Sequence, residues 1–284
     1  MRFTFLGTGT SSGVPAIGCS CAVCRSDDPH DQRLRTSGVL RFTDPRGTER
    51  TILIDAGPDL RQQALRAQLD RLDAILLTHN HVDHTWGLDE VRRFNVVMDA
   101  PIDVYADAHT TDGIRRVFAH IFDKASNIQK SFVATLIPNR VRPGHPFELF
   151  GLRVTPLALL HGRLPVIGYR FDPTDELTDT LAEAQTDVQS DAVSILPLAY
   201  CTDVSAIPPE TWAQLEGLNT LVLDALRHRH HPTHLTLDQA VEIAEQVGAR
   251  RTWFVHMSHN LPHAETNEDL PEGIALAHDG LVLG

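Results

Sequence analysis

The chain has 284 residues, 42% hydrophobic and 22% charged, an ordinary globular balance with enough length to bury a core without disulfide staples. Its formal net charge of −12, without any run of Lys or Arg, argues against nucleic acid as a partner, and no stretch approaches the ~18 apolar residues that span a membrane. The opening Met1-Arg2-Phe3-Thr4-Phe5-Leu6-Gly7 carries no long apolar segment of the kind that heads a secretory signal, so a cytoplasmic location is expected.

In chain order, Met1–Gly7 reads as a strand entering a glycine-rich turn, followed by Cys19-Ser20-Cys21-Ala22-Val23-Cys24. Cysteines this close are badly placed to pair with one another, and in a cytoplasmic protein such clusters bind metal. Thr51–Asp55 is strand-like, and Asp59–Leu69 carries apolar residues at helical spacing. Leu72–Thr78 is a buried strand that runs directly into His79-Asn80-His81-Val82-Asp83-His84. Further strands are predicted at Ile102–Tyr105, Phe147–Thr155, Ile195–Cys201, Leu221–Asp224 and Thr252–His256, and helices at Leu88–Phe94, Thr111–Phe122 and Leu237–Gly248. This mixture predicts an α/β fold of layered sheets and helices in a single domain, 1–284. Asp172–Asp191 is rich in Asp, Thr, Glu and Gln and has no basic residue, so it reads as a solvated surface insertion, a hairpin or a loop.

His-x-His-x-Asp-His sets four ligand-type side chains within six residues at a strand end. A turn there can aim His79 and His81 at one cation while Asp83 and His84 face a second. Imidazole and carboxylate ligands suit Zn²⁺ or Mn²⁺, and a two-metal site needs a shared anionic bridge.

The motif resembles the signature of the metallo-β-lactamase superfamily, and that resemblance implies a four-layer αββα sandwich and further ligands downstream. It assigns His161, after the strand-like Val154–Leu160, to the first metal with His79 and His81. It makes Asp203, in Leu198-Ala199-Tyr200-Cys201-Thr202-Asp203, the bridging carboxylate. His256, after Thr252-Trp253-Phe254-Val255, completes the second metal with Asp83 and His84. Asp55 occupies the place of an acidic residue that holds a ligand imidazole in the right tautomer, although capping the next turn is an equal reading. Gly7-Thr8-Gly9-Thr10-Ser11-Ser12-Gly13-Val14-Pro15, with Cys19, Cys21 and Cys24, is similar to the PhnP-like branch, whose type member is a phosphoribosyl cyclic phosphodiesterase. That branch carries a structural zinc on three N-terminal cysteines and one late histidine, here Cys19, Cys21, Cys24 and His259, a closed tetrahedral set. The fourth cysteine, Cys201, reads as a small core residue.

The same branch carries a non-ligand histidine before its last ligand, and His234, in His234-Leu235-Thr236, matches it. His228, His230 and His231 stand beside it, and which of them contacts substrate is left open.

The resemblance runs from Leu6 to His259 and implies a binuclear phosphodiesterase with two catalytic divalent ions and one structural zinc. Its expected substrate is a small cyclic phosphodiester such as a ribosyl 1,2-cyclic phosphate, with Asp203 and His234 as catalytic residues. A homodimer is compatible with the sequence. The rival readings are a PqqB-like protein of cofactor biosynthesis, a tRNA 3′-processing endonuclease, and, from another class, a non-catalytic metal-dependent binding or sensing protein.

Overall fold

The structure, a computed structural model, describes residues 1–123, 125, 132–185 and 194–284, without the side chains of 183–185. The first half of the chain forms β1 (Arg2–Gly7), β2 (Ser37–Thr43), β3 (Glu49–Ile54), β4 (Ala74–Leu76), β5 (Ile102–Ala106) and β6 (Leu136–Arg140). The second half forms β7 (Phe147–Leu149), β8 (Leu152–His161), β9 (Leu164–Pro173), β10 (Leu198–Cys201), β11 (Thr220–Asp224), β12 (Arg251–Val255) and β13 (Ile274–Leu276). The last strand, β14 (Val282–Leu283), returns to pair with β1. Among the described residues these make two seven-stranded sheets, β14-β1-β2-β3-β4-β5-β6 and β13-β12-β11-β10-β9-β8-β7. In each sheet one flank is antiparallel (β1–β3, β7–β10) and the other parallel (β3–β6, β10–β13).

Strand residues alternate between two buried faces, as a sheet covered on both sides requires. Phe3, Phe5, Leu40, Ile52 and Ile54 meet Val154, Tyr169, Leu198, Tyr200 and Val222 in the core between the sheets. The intervening Val39, Leu53 and Ile75 face the helical layer that includes α1 (Leu60–Arg66), α3 (Arg92–Met98) and α4 (Ala108–Val117). On the far side Ala199, Cys201, Leu221 and Leu223 face Leu237, Ala240 and Ala244 of α8 (Leu237–Val247). The result is the expected four-layer αββα sandwich, with Cys201 buried in the second outer core. Burial pushes its thiol up to about 12, which keeps it protonated and apolar in behaviour. Helix α8 is delimited as its sequence suggests: Thr236 and Gln239 form a reciprocal capping box, and Gly248 ends the helix in the left-handed conformation (φ 63°).

Four expectations change. Phe147–Thr155 is not one strand, because Phe150 (φ 55°) and Gly151 (φ 87°) turn the chain back into a β7–β8 hairpin. A Cβ on Gly151 would lie 2.7 Å from Pro45, so the turn needs glycine in both conformation and space. Leu88–Phe94 gives way to α3, starting at Arg92, since Leu88 and Val91 are buried in turns that precede it. Thr111–Phe122 divides at Phe118 into α4, capped by Asp107, and α5 (Ala119–Phe122). Within Asp172–Asp191, β9 extends to Pro173 and Asp175–Gln185 forms helix α6, not a loop; 186–191 lie outside the described residues. The polar composition hides a two-residue stripe: Leu177, fully buried, and Leu181, one helical turn on, cover one end of the core between the sheets. Among the described residues, no helix is long and apolar enough to cross a membrane.

Two polar contacts tie the sheets together where β4 ends. Tyr169 of β9 is fully buried, and its hydroxyl donates to Leu77 O at 2.8 Å, while Ile167 N–H donates to Thr78 O at 3.0 Å. These two bonds pin the start of the histidine motif to the opposite sheet. Tyr169→Phe removes the donor and leaves a buried carbonyl under-satisfied, so urea denaturation should show a loss of about 1–2 kcal/mol in stability; an unchanged midpoint and slope would rule out this role for the contact.

Candidate metal centre

Every residue of the centre stands at or just past a strand end, where the chain leaves its ladder and can turn a side chain inward. Asp55 follows β3, His79–His84 follow β4, His161 ends β8, Asp203 follows β10 and His256 follows β12. Asp55 (φ 60°), Asp203 (φ 56°) and His256 (φ 61°) all take the left-handed conformation. Non-glycine residues enter that region at a cost of about 1–3 kcal/mol each, which surrounding contacts must offset. Past His81, the short helix α2 (Val82–Thr85) presents Asp83 and His84 to the interior.

Two donor sets converge. His79, His81 and His161 bring one ring nitrogen each to within 4.8 Å of one another, as do Asp83, His84, Asp203 and His256. Asp203 joins the sets: its Oδ2 lies 3.2 Å from His84 Nε2, and its Oδ1 lies 3.3 Å from His256 Nε2 and 3.9 Å from His79 Nε2. These imidazole nitrogens are buried and have no hydrogen-bond partner among the described residues. Buried polar atoms left in that condition are costly, so a cluster of them aimed at shared carboxylates fits ligands that await a common cation.

The electrostatics agree. Burial would push the Asp203 carboxyl up, but the facing His256 and His84 imidazoles hold it well below the ordinary carboxylate value. Burial would depress His84, yet Asp203, Asp55 and Asp83 hold it well above the usual imidazole value. Without cations these carboxylates are balanced only by protons on their histidines, and divalent ions supply the same charge. His79, by contrast, is pushed well below its usual value by burial and by the neighbouring His84, so it is a neutral imidazole with a free lone pair.

Asp55 is buried behind His84, with its Oδ2 2.7 Å from His84 Nδ1 and bonds from Thr78 N–H and Oγ1–H, each at 2.8 Å. It thus orients His84 and does not cap the following turn. His161 donates from Nδ1 to Thr233 O at 2.7 Å, which turns its Nε2 inward. His234 lies beside the cradle, 4.5 Å ring to ring from His161 and 4.6 Å from His256.

Asp224 was not singled out by the sequence. It closes β11, is fully buried, and lies 3.2 Å from His234 Nδ1 and 3.5 Å from His256 Nδ1. Its only sequence signal was an Asp at the end of an apolar strand, as with Asp55.

Cys19, Cys21, Cys24 and His259 also converge within 4.8 Å, with Cys24 Sγ 3.3 Å from His259 Nδ1. Three thiols and an imidazole at that spacing suit a closed tetrahedral zinc shell. The segment His256-Met257-Ser258-His259 therefore serves both clusters. Backbone bonds from Met257 N to Thr8 O and from Thr10 N to Met257 O hold it, each at 3.0 Å, together with the buried Arg33 guanidinium donating to Ser258 O at 2.9 Å.

The beta-lactamase superfamily domain matches residues 50–257. A crystal structure of a new diphosphatase from the PhnP family is 43% identical, covering 100% of this chain and 97% of its own, with a TM-score of 0.83. This chain belongs to the PhnP family of the metallo-β-lactamase superfamily. An octanoyltransferase of Porphyromonas gingivalis (strain ATCC BAA-308 / W83) is 38% identical over 99% of this chain and 51% of its own length. The chain thus spans about half the length of that relative. Zn(2+)-bound PqqB from Methylobacterium extorquens, at 20% identity and TM-score 0.71 over 100% of both chains, shares the fold. The donor sets fit the divalent metal binding that the superfamily fold implies.

Cys21→Ser would remove one donor from the set that would hold a structural zinc. The PhnP-family protein should then lose about one equivalent of bound zinc and several degrees of melting temperature. Zinc content equal to wild type in that variant would remove the structural assignment.

Proposed function

We propose that this PhnP-family chain is a binuclear phosphodiesterase that hydrolyses a small phosphodiester. The carrying observation is the pair of donor sets joined by Asp203, with a buried histidine, His234, beside them and outside both. His79, His81 and His161 would hold one divalent ion, Asp83, His84 and His256 the other, and Asp203 would bridge them. Zinc or manganese suits these imidazole and carboxylate ligands. A bound cation pair would supply Lewis acidity, lowering the pKa of water toward neutrality and drawing charge from a phosphoryl group.

The chain's own residues do the rest. Hydrolysis forms a new P–O bond from water and breaks the ester P–O bond, so a proton must reach the departing oxygen. His234 is placed to deliver it: Asp224 engages Nδ1, which fixes the tautomer and leaves Nε2 for the reacting side. Asp55, through His84, keeps one ligand ring from rotating. Burial of the Asp203 side of the centre excludes water from the carboxylates and strengthens each of these contacts.

A ribosyl 1,2-cyclic phosphate is the first substrate reading, since a small ester suits an acidic protein better than a long polyanion. A small diphosphate ester is the second, favoured by the diphosphatase at 43% identity.

Two variants test the scheme with bis-p-nitrophenyl phosphate and Mn²⁺ or Zn²⁺. Asp203→Ala should weaken both ions and abolish turnover; metal analysis that finds only one ion in the metal-replete wild type, beside the zinc of the cysteine cluster, would refute the binuclear scheme. His234→Ala should lower kcat by ~10²–10⁴-fold with KM little changed and metal content intact. Wild-type kcat in that variant would strip His234 of its role.

A further inference from the structure

Resting on the phosphodiesterase reading, we infer that Trp86, with Val82 beside it, seats a flat ring carried by the ester group that stays on phosphorus during hydrolysis. Neither side chain has a part in the metal sets or in proton delivery by His234.

The burial of the ligands shows where a substrate enters. His79, His84, His161, Asp203 and His256 are at most 7% exposed, whereas His81 is exposed and Asp83 partly exposed. The cradle therefore opens to solvent at His81 and Asp83. Val82 stands between those two residues in the chain, and the backbone stays helical as far as Trp86, which caps α2 (φ −75°, ψ −3°). Residues three and four apart on a helix are surface neighbours, with about 5–6 Å between their Cβ atoms. Trp86 thus neighbours Asp83 and Val82 together, and the apolar pair borders the mouth of the centre.

The fold leaves both side chains free. Trp86 is 55% exposed and Val82 48%, and neither joins any of the described hydrophobic cores. Among the described residues no hydrogen bond or ring contact engages the indole. A single exposed apolar side chain is ordinary on a protein surface. An indole and an isopropyl group side by side against metal ligands form a surface that a ligand can cover.

A flat ring fits that surface better than a sugar does. Indole offers a wide π face, on which aryl groups and nucleobases stack whatever their hydrogen-bond pattern. A sugar hydroxyl would lose water against indole carbons and an isopropyl group without a hydrogen bond in return. His234, which serves the departing oxygen, stands against His161 and His256. The ester group on the side of His81 and Asp83 is therefore the one that phosphorus keeps.

The test uses three diesters that share p-nitrophenolate as leaving group, so that only the retained group differs: methyl, phenyl or thymidine 5′. In the metal-replete wild type, kcat/KM should be about tenfold higher for a ring-bearing diester than for the methyl one. Trp86→Ala should bring that ratio close to one, and Trp86→Phe should keep most of it. The ratio should hold from low to high salt, because stacking, unlike an exposed ion pair, is not screened. Metal content and melting temperature of the variants should match wild type, since Trp86 lies outside the cores. A preference for phenyl alone identifies an aryl ester and a preference for thymidine a nucleobase, and either supports the seat. A wild-type ratio near one, or a ratio unchanged in Trp86→Ala, overturns it. A wild-type dimer that Trp86→Ala dissociates overturns it as well, because a second copy then covers the indole. Hydrolysis of none of the three diesters overturns the phosphodiesterase reading itself. Calorimetric titration with phenyl phosphate and methyl phosphate then decides the seat separately: tighter binding of phenyl phosphate that Trp86→Ala abolishes supports it, and equal Kd values in the wild type overturn it.

Discussion

Charge balance at the junction of the two sheets is the constraint on which the rest of this molecule depends. Asp55, Asp203 and Asp224 are at most 2% exposed, and each is packed against one or more imidazoles. Isolated carboxylates cannot be held in such a place, because losing hydration costs several kcal/mol per ion even after relaxation. Each has a defined partner instead: Thr78 and His84 for Asp55, His84 and His256 for Asp203, His234 and Leu235 N–H for Asp224. The three carboxylates thus grade from orienting a ring, through joining two donor sets, to fixing the tautomer of His234.

The fold makes that balance possible by bringing strand ends from both halves of the chain to one edge of the sandwich. The β3 and β4 ends supply Asp55 and the histidine motif; the β8, β10, β11 and β12 ends supply His161, Asp203, Asp224 and His256. Hydrogen bonds from β9 to Leu77 and Thr78 carbonyls set the two edges in register. A small shift between the sheets would separate His79 from Asp203, so the inter-sheet core and the chemistry depend on one another. The cysteine cluster extends this logic, because His256 and His259 sit on one short segment that Thr8, Thr10 and Arg33 hold in place.

The sequence by itself determined the layers and most of the centre. Apolar runs such as Ile52-Leu53-Ile54 alternating with amphipathic stretches pointed to layers of sheet and helix, the four-layer αββα order came by resemblance, and His79–His84 at a strand end was dense enough in ligand types to mark a metal cradle. Cys19, Cys21, Cys24 and His259 could be grouped by resemblance, and the structure brings all four together. What needed the tertiary structure were contacts between residues far apart in the chain whose local pattern is ordinary. Asp224 looks like any strand-end Asp until β11 sets it beside His234 and His256. Asp55 had two equal local readings, and only its 2.7 Å approach to His84 decided between them. Helix α6 was masked because polar composition speaks for solvent, whereas its two leucines at helical spacing find a core that exists only once both sheets have formed. Local pattern reports what a segment can bury; which partner it meets, and at what distance, is fixed only when the two halves of the chain close on each other.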